Sequence, residues 1–142
     1  MRRLLIGFDD SPGAPGALRY GARAALRNRC CLVVVSVVVE PIEVVAAWPF
    51  VFGAPGATSP EQFALDRLRA AVEQLSTDIS VVTIVCRGRV GPVLAREAAR
   101  HLCDAIVIGA PSGVWSRLTG GVARYLRAHS ASAVVVVPKH GP

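Results

Sequence analysis

The sequence predicts an α/β fold in which helices cover both faces of a parallel sheet. Short segments rich in Val and Ile alternate with segments whose apolar residues recur every three or four positions. The strand segments lack the apolar–polar alternation of a half-exposed sheet, so both of their faces are expected to be buried. Strands that alternate with helices are joined by right-handed crossovers and run parallel. The chain has 142 residues, 52% of them apolar, which suits one three-layer domain over residues 1–142.

The first strand and helix are predicted from an apolar run and the residues that stop it. The strand covers Leu4–Phe8 and ends at Asp9. Ser11 is expected to cap the following helix, with Pro12 in its first position. Apolar spacing from Ala14 places one set of residues on a single helix face. This set is Ala17, Leu18, Gly21, Ala22, Ala25 and Leu26.

The middle of the chain predicts two strands separated by a long loop and a helix. Cys31–Val39 is nearly all apolar and β-branched, and it is the clearest strand. Residues 40–58 show no sustained period and are expected to form a loop. Ser59 begins a capping-box pattern, after which Leu65, Leu68, Val72 and Leu75 continue as a helical stripe. Ser80–Cys86 is the third predicted strand.

The last third of the chain repeats the alternation twice. Gly91 and Pro92 are expected to start a third helix that buries Leu94, Ala95, Ala98 and Leu102. The fourth strand is Ala105–Ile108, followed by a glycine-bearing loop. A short helix then begins near Val122, and Ala133–Val137 forms the last strand, which Pro138 stops.

Charge and hydropathy restrict the classes of partner. The formal net charge of +6 favours anionic partners without choosing among them. Basic residues are scattered and aromatic residues make up only 6%, so no nucleic-acid-binding surface is predicted. Arg19, Arg23 and Arg27 share a helix side, which we interpret as a solvated face. The first apolar run stops at Asp9 and no segment reaches the ~18 apolar residues of a membrane span. We therefore expect a cytoplasmic protein without a membrane partner.

The four cysteines give no sign of a metal site. Cys30, Cys31, Cys86 and Cys103 form no CxxC pair and lie near no His at the spacing of zinc ligands. Cys31 and Cys86 lie in or beside apolar runs, so we expect small buried side chains rather than disulfides or reactive thiols.

A ligand crevice is expected at the carboxyl ends of the strands, where open α/β sheets bind their ligands. Residues 8–11 place carboxylates and a hydroxyl after strand 1, and glycines occur at 109, 113, 120 and 121 after strand 4. Glycines let backbone amides approach a phosphate closely, and the helix that follows favours negative charge. Such a loop is also often a simple turn. The chain lacks the Walker and GxGxxG motifs, which excludes P-loop and dinucleotide-binding folds.

Three segments together resemble the universal stress protein family. They are LLIGFDDS at 4–11, AIVIG at 105–109 and GGVARYL at 120–126. The resemblance runs nearly end to end. It implies a five-stranded sheet of order 3-2-1-4-5, with its switch point between strands 1 and 4, where the crevice is expected. It also implies an adenine nucleotide such as ATP or AMP in that crevice, and homodimers formed through the exposed apolar edge Ala133–Val137.

The phosphate loop departs from the family's pattern. ATP-binding members carry Gly, two residues, Gly, nine residues, then Gly and Ser or Thr. Here three residues separate Gly109 from Gly113 and six separate Gly113 from Gly120, so the loop is two residues shorter. Gly121 stands where the hydroxyl residue belongs. Its loss removes a hydrogen bond of about 0.5–1.5 kcal/mol, which predicts weaker binding of nucleotide.

The resemblance assigns site residues to specific positions. Asp9 would contact the adenosine end of the nucleotide. A backbone group near Val38 or Val39 would contact the base. Asp9 also has a role without ligand, because a carboxylate before a helix is stabilised by the helix dipole. The predicted nucleotide-binding residues are Phe8, Asp9, Ser11, Val38, Val39, Gly109, Gly113, Gly120, Gly121 and Val122.

No catalytic arrangement is predicted. His101 and His129 fall on or near helices and His140 in the tail, without a partner nucleophile in a strand-end position. Two hypotheses follow: a regulatory, non-catalytic nucleotide-binding protein of the stress response, or a dimerising interaction module that has lost nucleotide binding.

Overall fold

The computed structural model describes residues 2–9, 13–38, 59–110 and 121–138. Within them, five strands alternate with four helices. The strands are β1 Arg3–Gly7, β2 Cys31–Val38, β3 Val81–Arg87, β4 Ala105–Gly109 and β5 Ala133–Val137. The helices are α1 Ala14–Asn28, α2 Pro60–Glu73, α3 Val90–Arg100 and α4 Val122–His129. The loop predicted over residues 40–58 lies outside the described residues.

The strands form one parallel sheet of order β3-β2-β1-β4-β5. Both the parallel sheet and the order implied by the family resemblance are confirmed. Leu5 is paired with Val33 of β2 on one side and Ile106 of β4 on the other. The central strand is therefore buried on both edges, while β3 and β5 are the outer strands of the described sheet.

Two apolar cores lie on opposite faces of the sheet. Helices α1 and α2 cover one face, and α3 and α4 cover the other. The first core is built around Ile6, Leu32, Val34, Leu68 and Val107, and the second around Leu5, Val33, Leu94, Ile106 and Leu126. Successive residues of β1 and β2 thus enter different cores, which is why these strands carry no apolar–polar alternation.

The start of α1 differs from the prediction. The helix begins at Ala14 with Gly13 as its N-cap and Pro15 in its first turn. Pro15, rather than the predicted Pro12, is thus the proline in the first turn, where a missing amide hydrogen costs nothing; Pro12 itself lies outside the described residues. Ser11, the predicted cap, lies outside the described residues.

Two leucines predicted to face the core are exposed instead. Leu26 is 53% exposed, since the buried stripe of α1 ends at Ala25. Leu102 is 79% exposed with φ of 54°, because α3 ends at Arg100 and the chain there turns through a left-handed residue. In both cases the helical spacing of apolar residues continues beyond the last residue that the helix buries.

The remaining differences are small. Ser59 caps α2, its Oγ accepting from the Gln62 amide at 3.1 Å, but the Gln62 side chain bonds Asp66 rather than returning to the cap. All four cysteines are free; Cys30 and Cys103 are buried, whereas Cys31 and Cys86 are only half-buried. No helix in the described part of the chain combines the length and apolar character that a bilayer crossing requires.

Candidate functional site

A cavity opens at the carboxyl ends of β1, β2 and β4, on the face covered by α3 and α4. Its walls combine three strand ends with the first residues of two helices. The lining residues are Gly7, Phe8, Asp9, Val35, Val37, Val90, Leu94, Ile108, Gly109, Ala110 and Val122. This is the crevice at the switch point between β1 and β4, where the strand order reverses.

The cavity is small and mostly apolar. Its volume is about 40 Å³, enough for a few water molecules at the ~10–15 Å³ that each needs. Asp9 supplies the one ionisable side chain among the described lining residues. A ligand larger than a few atoms would therefore place only a part of itself against these walls, and its remainder would lie outside them.

Four of the predicted site residues meet at this cavity. Phe8, Asp9, Gly109 and Val122 line it, and Gly121 is the N-cap of α4 immediately beside Val122. Their part in nucleotide binding stays a prediction. Ser11, Val39, Gly113 and Gly120 lie outside the described residues.

Val38 is not among the lining residues. It is half-buried at the end of β2, and its carbonyl accepts a hydrogen bond from the Gly88 amide at 3.1 Å. The neighbouring Val37 lines the cavity instead. Side chains alternate between the two faces of a strand, so Val35 and Val37 share the cavity face while Val38 belongs to the other side.

Gly109 and Gly121 differ in the space that surrounds them. A Cβ on Gly109 would lie 2.6 Å from the carbonyl carbon of Gly13, so the residue has to be glycine for the backbone after β1 to pack against the end of β4. At Gly121, a Cβ would have no atom of the described residues within 4 Å, and φ is −84°. Gly109 is thus explained by packing alone, whereas the space beside Gly121 is open.

Two helix N-termini line the cavity and a third lies beside it. Val90 begins α3 and Val122 begins α4, and both line the walls; Gly13, the N-cap of α1, contacts Gly109 and Ala110. None of the three helices has a side-chain hydrogen bond at its cap or an acidic residue in its first turn. Their positive dipole ends therefore favour an anion in the cavity.

Helix α2, which does not line the cavity, begins in the opposite way. Ser59 caps it and Glu61 occupies its first turn, paired with Arg87 at the end of β3. Burial opposes ionisation, but hydrogen bonds from its own backbone and from Arg87 hold the pKa of Glu61 below its usual value. The ionised carboxylate satisfies the positive end of α2 within the protein.

The contribution of α3 was missed by the sequence analysis. Val90 and Leu94 form one wall, yet the helix was predicted to start at Gly91. The signal was present in the run Gly88-Arg89-Val90, where a glycine with φ of 140° ends the strand and the helix follows two residues later.

Comparison with known proteins agrees with the fold. The model of the universal stress protein family matches residues 1–138, and the chain belongs to that family. No curated protein matches the chain.

Three solved structures illustrate the similarity. Universal stress protein UspA from Lactobacillus plantarum is 20% identical, with a TM-score of 0.69 and coverage of 95% of this chain and 96% of that one. A universal stress protein from Archaeoglobus fulgidus in complex with dAMP is 22% identical, with a TM-score of 0.62 and 96% of both chains covered. A family protein from Arabidopsis thaliana with AMP bound is 14% identical, with a TM-score of 0.63 and coverage of 97% and 92%. At identities this low, the similarity to these structures shows a shared fold and nothing more.

Proposed function

We propose that this protein binds an adenine nucleotide at the cavity between β1 and β4 and acts as a regulatory, non-catalytic protein of the stress response. The observation that supports the proposal is that the N-termini of α3 and α4 line one cavity, with no side-chain cap and no acidic residue in either first turn, and that the N-terminus of α1 lies beside it. A phosphate group supplies the negative charge that such an arrangement favours. The nucleotide complexes of two family members with this fold support adenine as the base.

The parts of the site have distinct roles in this proposal. The apolar walls Val37, Val90 and Val122 would contact one edge of the adenosine, with Asp9 beside it. The first three amides of α4, at Val122, Ala123 and Arg124, would donate to phosphate oxygens, since no intrahelical acceptor precedes them. Gly121 leaves the approach open but offers no hydroxyl, so affinity is expected to be low.

Calorimetric titration with ATP and AMP tests this proposal. Wild-type protein should release or absorb heat with at least one of them, and Asp9→Asn should weaken that binding. Asp78→Asn, at an exposed position in the turn before β3, is the matched control and should bind as wild type does. Gly121→Ser, which restores the hydroxyl, should bind about tenfold more tightly, as one hydrogen bond to a charged group allows. Absence of heat with every nucleotide would contradict the proposal.

A second function has its own support. The small cavity volume and the packing explanation for Gly109 favour a family member that has lost nucleotide binding and acts as an interaction module. In both cases we propose one domain over residues 1–142, located in the cytoplasm, where four free thiols stay reduced.

In both cases we also propose a homodimer formed through β5. This strand consists of Ala and Val only and lies at one edge of the described sheet, a surface that proteins usually cover. Sedimentation across micromolar concentrations measures the dimer, and Val135→Lys on β5 should shift it to monomer. A wild-type protein that is monomeric at every concentration would contradict this part of the proposal.

A further inference from the structure

A second, larger depression lies on the other face of the sheet and at its other end. It is bounded by α1 and by the amino-terminal parts of β1, β4 and β5, whereas the cavity between β1 and β4 opens at the carboxyl ends under α3 and α4. We call it the amino-end groove; its floor is formed by Leu4, Ala105, Val107 and Val135. Its volume is about 370 Å³, within the range of about 300–1,000 Å³ that is typical of pockets for small molecules.

The floor of the amino-end groove is apolar because three neighbouring strands place side chains on it in register. Leu4 is paired with Ala105, and Val107 is paired with Val135. Leu4, Val107 and Val135 belong to the first core, and Ala105 shares their face because alternate residues of a strand do. Ala105 contributes only a methyl group, which leaves space above it. The floor therefore offers an apolar surface to a ligand.

The wall of the amino-end groove is one side of α1. Tyr20, Ala24 and Asn28 recur every four residues, so they lie one above another along the helix. The small Ala24 leaves the middle of the wall open, and Tyr20 is 43% exposed. Among the residues that the structure describes, the side chains of Tyr20 and Asn28 have no hydrogen-bond partner. Both can therefore bond a molecule in the groove.

Two opposite charges stand at the amino end of the groove without pairing. Arg2 and Asp104 both line it, and both are exposed. The Oδ2 atom of Asp104 accepts a hydrogen bond from the backbone amide of Arg3 at 3.2 Å, which places the carboxylate beside the backbone that carries Arg2. Even so, neither the Arg2 guanidinium nor the Asp104 carboxylate forms an ion pair within the described ranges. One cation and one anion thus border the same apolar surface.

We propose that the amino-end groove binds a small zwitterion with an apolar body, the chemistry of a free amino acid with an aromatic or large aliphatic side chain. Arg2 binds the carboxylate of the ligand and Asp104 binds its ammonium group through charge-assisted hydrogen bonds. The apolar side chain of the ligand lies against Leu4, Val107 and Val135. The carbonyl end of α1, which reaches the groove at its last residue, favours the ammonium group further.

The charges of the groove favour this class of ligand over the others. A purely anionic ligand such as a nucleotide would be attracted by Arg2 but repelled by Asp104 and by the negative end of α1. A purely cationic ligand would leave Arg2 opposed. The site is separate from the proposed nucleotide site. It is also compatible with a dimer through β5, because strands pair along their edges whereas the groove lies on the face of the sheet.

Titrations followed by NMR of the isotope-labelled protein test the proposal. The probes are L-phenylalanine and two analogues that each lack one charge, phenylpropionate without the ammonium group and phenethylamine without the carboxylate. L-Phenylalanine should shift the amide signals of residues 20–28 and 104–107 and leave those of Phe8 and Val122 in place. Each analogue should bind about threefold to tenfold more weakly than the amino acid.

Charge-removing variants assign the two ends of the ligand. Arg2→Gln should weaken L-phenylalanine binding about threefold to tenfold and leave phenethylamine binding unchanged. Asp104→Asn should weaken L-phenylalanine equally and leave phenylpropionate unchanged, while its amide oxygen can still accept from the Arg3 backbone. Arg27→Gln and Asp78→Asn, at exposed positions outside the groove, are the matched controls and should bind as wild type does.

A variant that fills the groove keeps the proposal testable if the charges contribute little. Ala24→Leu places a larger side chain in the middle of the wall, and leucine suits a helix nearly as well as alanine, so the variant should fold and lose at least tenfold in affinity for L-phenylalanine.

Three results would overturn the proposal. They are the absence of any shift with L-phenylalanine, shifts confined to the cavity between β1 and β4, or equal effects of Arg2→Gln on L-phenylalanine and phenethylamine. If Ala24→Leu instead dissociates a dimer and no amino acid binds, the groove is an interface between copies of this chain and the proposal is likewise wrong. None of these results bears on nucleotide binding, which the ATP and AMP titrations test separately.

Discussion

The carbonyl oxygen of Gly13 lies 2.7 Å from the position that a Cβ on Gly109 would occupy. The backbone before α1 and the end of β4 are thus in direct contact across the switch point of the sheet, and no side chain fits between them. Gly109→Ala is therefore expected to destabilise the protein by about 1–3 kcal/mol, the usual cost of overpacking. Denaturant unfolding of the variant measures this loss.

Gly121→Ala is the control for that substitution. Its Cβ would meet no atom of the described residues within 4 Å, and its φ of −84° suits any residue. We expect a change in the free energy of unfolding of about 1 kcal/mol or less, since alanine is only a poorer N-cap than glycine. Equal losses for Gly109→Ala and Gly121→Ala would show that the close approach of Gly13 does not set the cost.

The exposed Leu102 predicts a stabilising substitution. Its φ of 54° is a left-handed conformation that favours glycine, and its side chain, 79% exposed, contributes little burial. Leu102→Gly should raise the free energy of unfolding by about 0.5–1 kcal/mol, and thermal unfolding should show a higher Tm. Leu26→Gly, also at an exposed leucine but inside α1, should lower it by about 1 kcal/mol because glycine disfavours the helix interior.

The architecture was accessible from the sequence because the strongest signals are periodic. Cys31–Val38 is largely apolar and β-branched without alternation, which a buried parallel strand explains, and the stripes of α1, α2 and α3 predicted many of the residues that enter the core, such as Leu18, Leu68 and Leu94. The ends of the helices were harder to predict from the sequence. Leu26 and Leu102 satisfy helical spacing, yet their burial depends on where the helix stops and what lies opposite.

The candidate site could be predicted only in part from the sequence, for a related reason. The two strand ends with Asp9 and Gly109 carry polar or glycine residues that stand out in a sequence. The wall formed by Val37, Val90 and Leu94 consists of ordinary apolar residues of the second core, and only the tertiary structure shows that they also border a cavity. The need for glycine at position 109 also depends on its close contact with Gly13. Gly13 is distant in sequence, so no local pattern indicates this contact.

A buried carboxylate near the end of α3 gives a further prediction. The Glu97 side chain is 2% exposed. Its Oε2 has no hydrogen-bond partner among the described residues, although His101 Nε2 lies 3.4 Å from it. Its Oε1 accepts from the Cys86 thiol at 3.7 Å and from Arg100 at 3.5 Å, while the Arg96 guanidinium is 3.4 Å from it. The desolvation of the carboxylate is thus only partly offset.

Glu97→Met is therefore expected to leave stability unchanged or to raise it by about 1–2 kcal/mol. A methionine of similar volume removes the desolvated carboxylate, and its three partners Arg96, Arg100 and His101 are all partly exposed, so they return to water at little cost. Glu97→Ala leaves a cavity instead and should cost about 2–4 kcal/mol. Guanidinium unfolding of both variants decides the question, and a large loss for Glu97→Met would mean that the ion pairs are net stabilising.

Cys103 predicts a pH dependence of stability. Burial disfavours the thiolate and raises the pKa of this thiol from 9.0 to about 11, with the charge of Arg3 opposing and that of Asp104 adding to the shift. The folded protein therefore retains the proton where the unfolded chain loses it. The stabilisation is complete below pH 9 and is lost between pH 9 and about pH 11, by at most about 1.4 kcal/mol per pH unit. Unfolding of wild type and Cys103→Ala at pH 8, 9 and 10 measures this effect: the stability difference between them should shrink as the pH rises, and a constant difference would show that the thiol does not titrate differently in the two states.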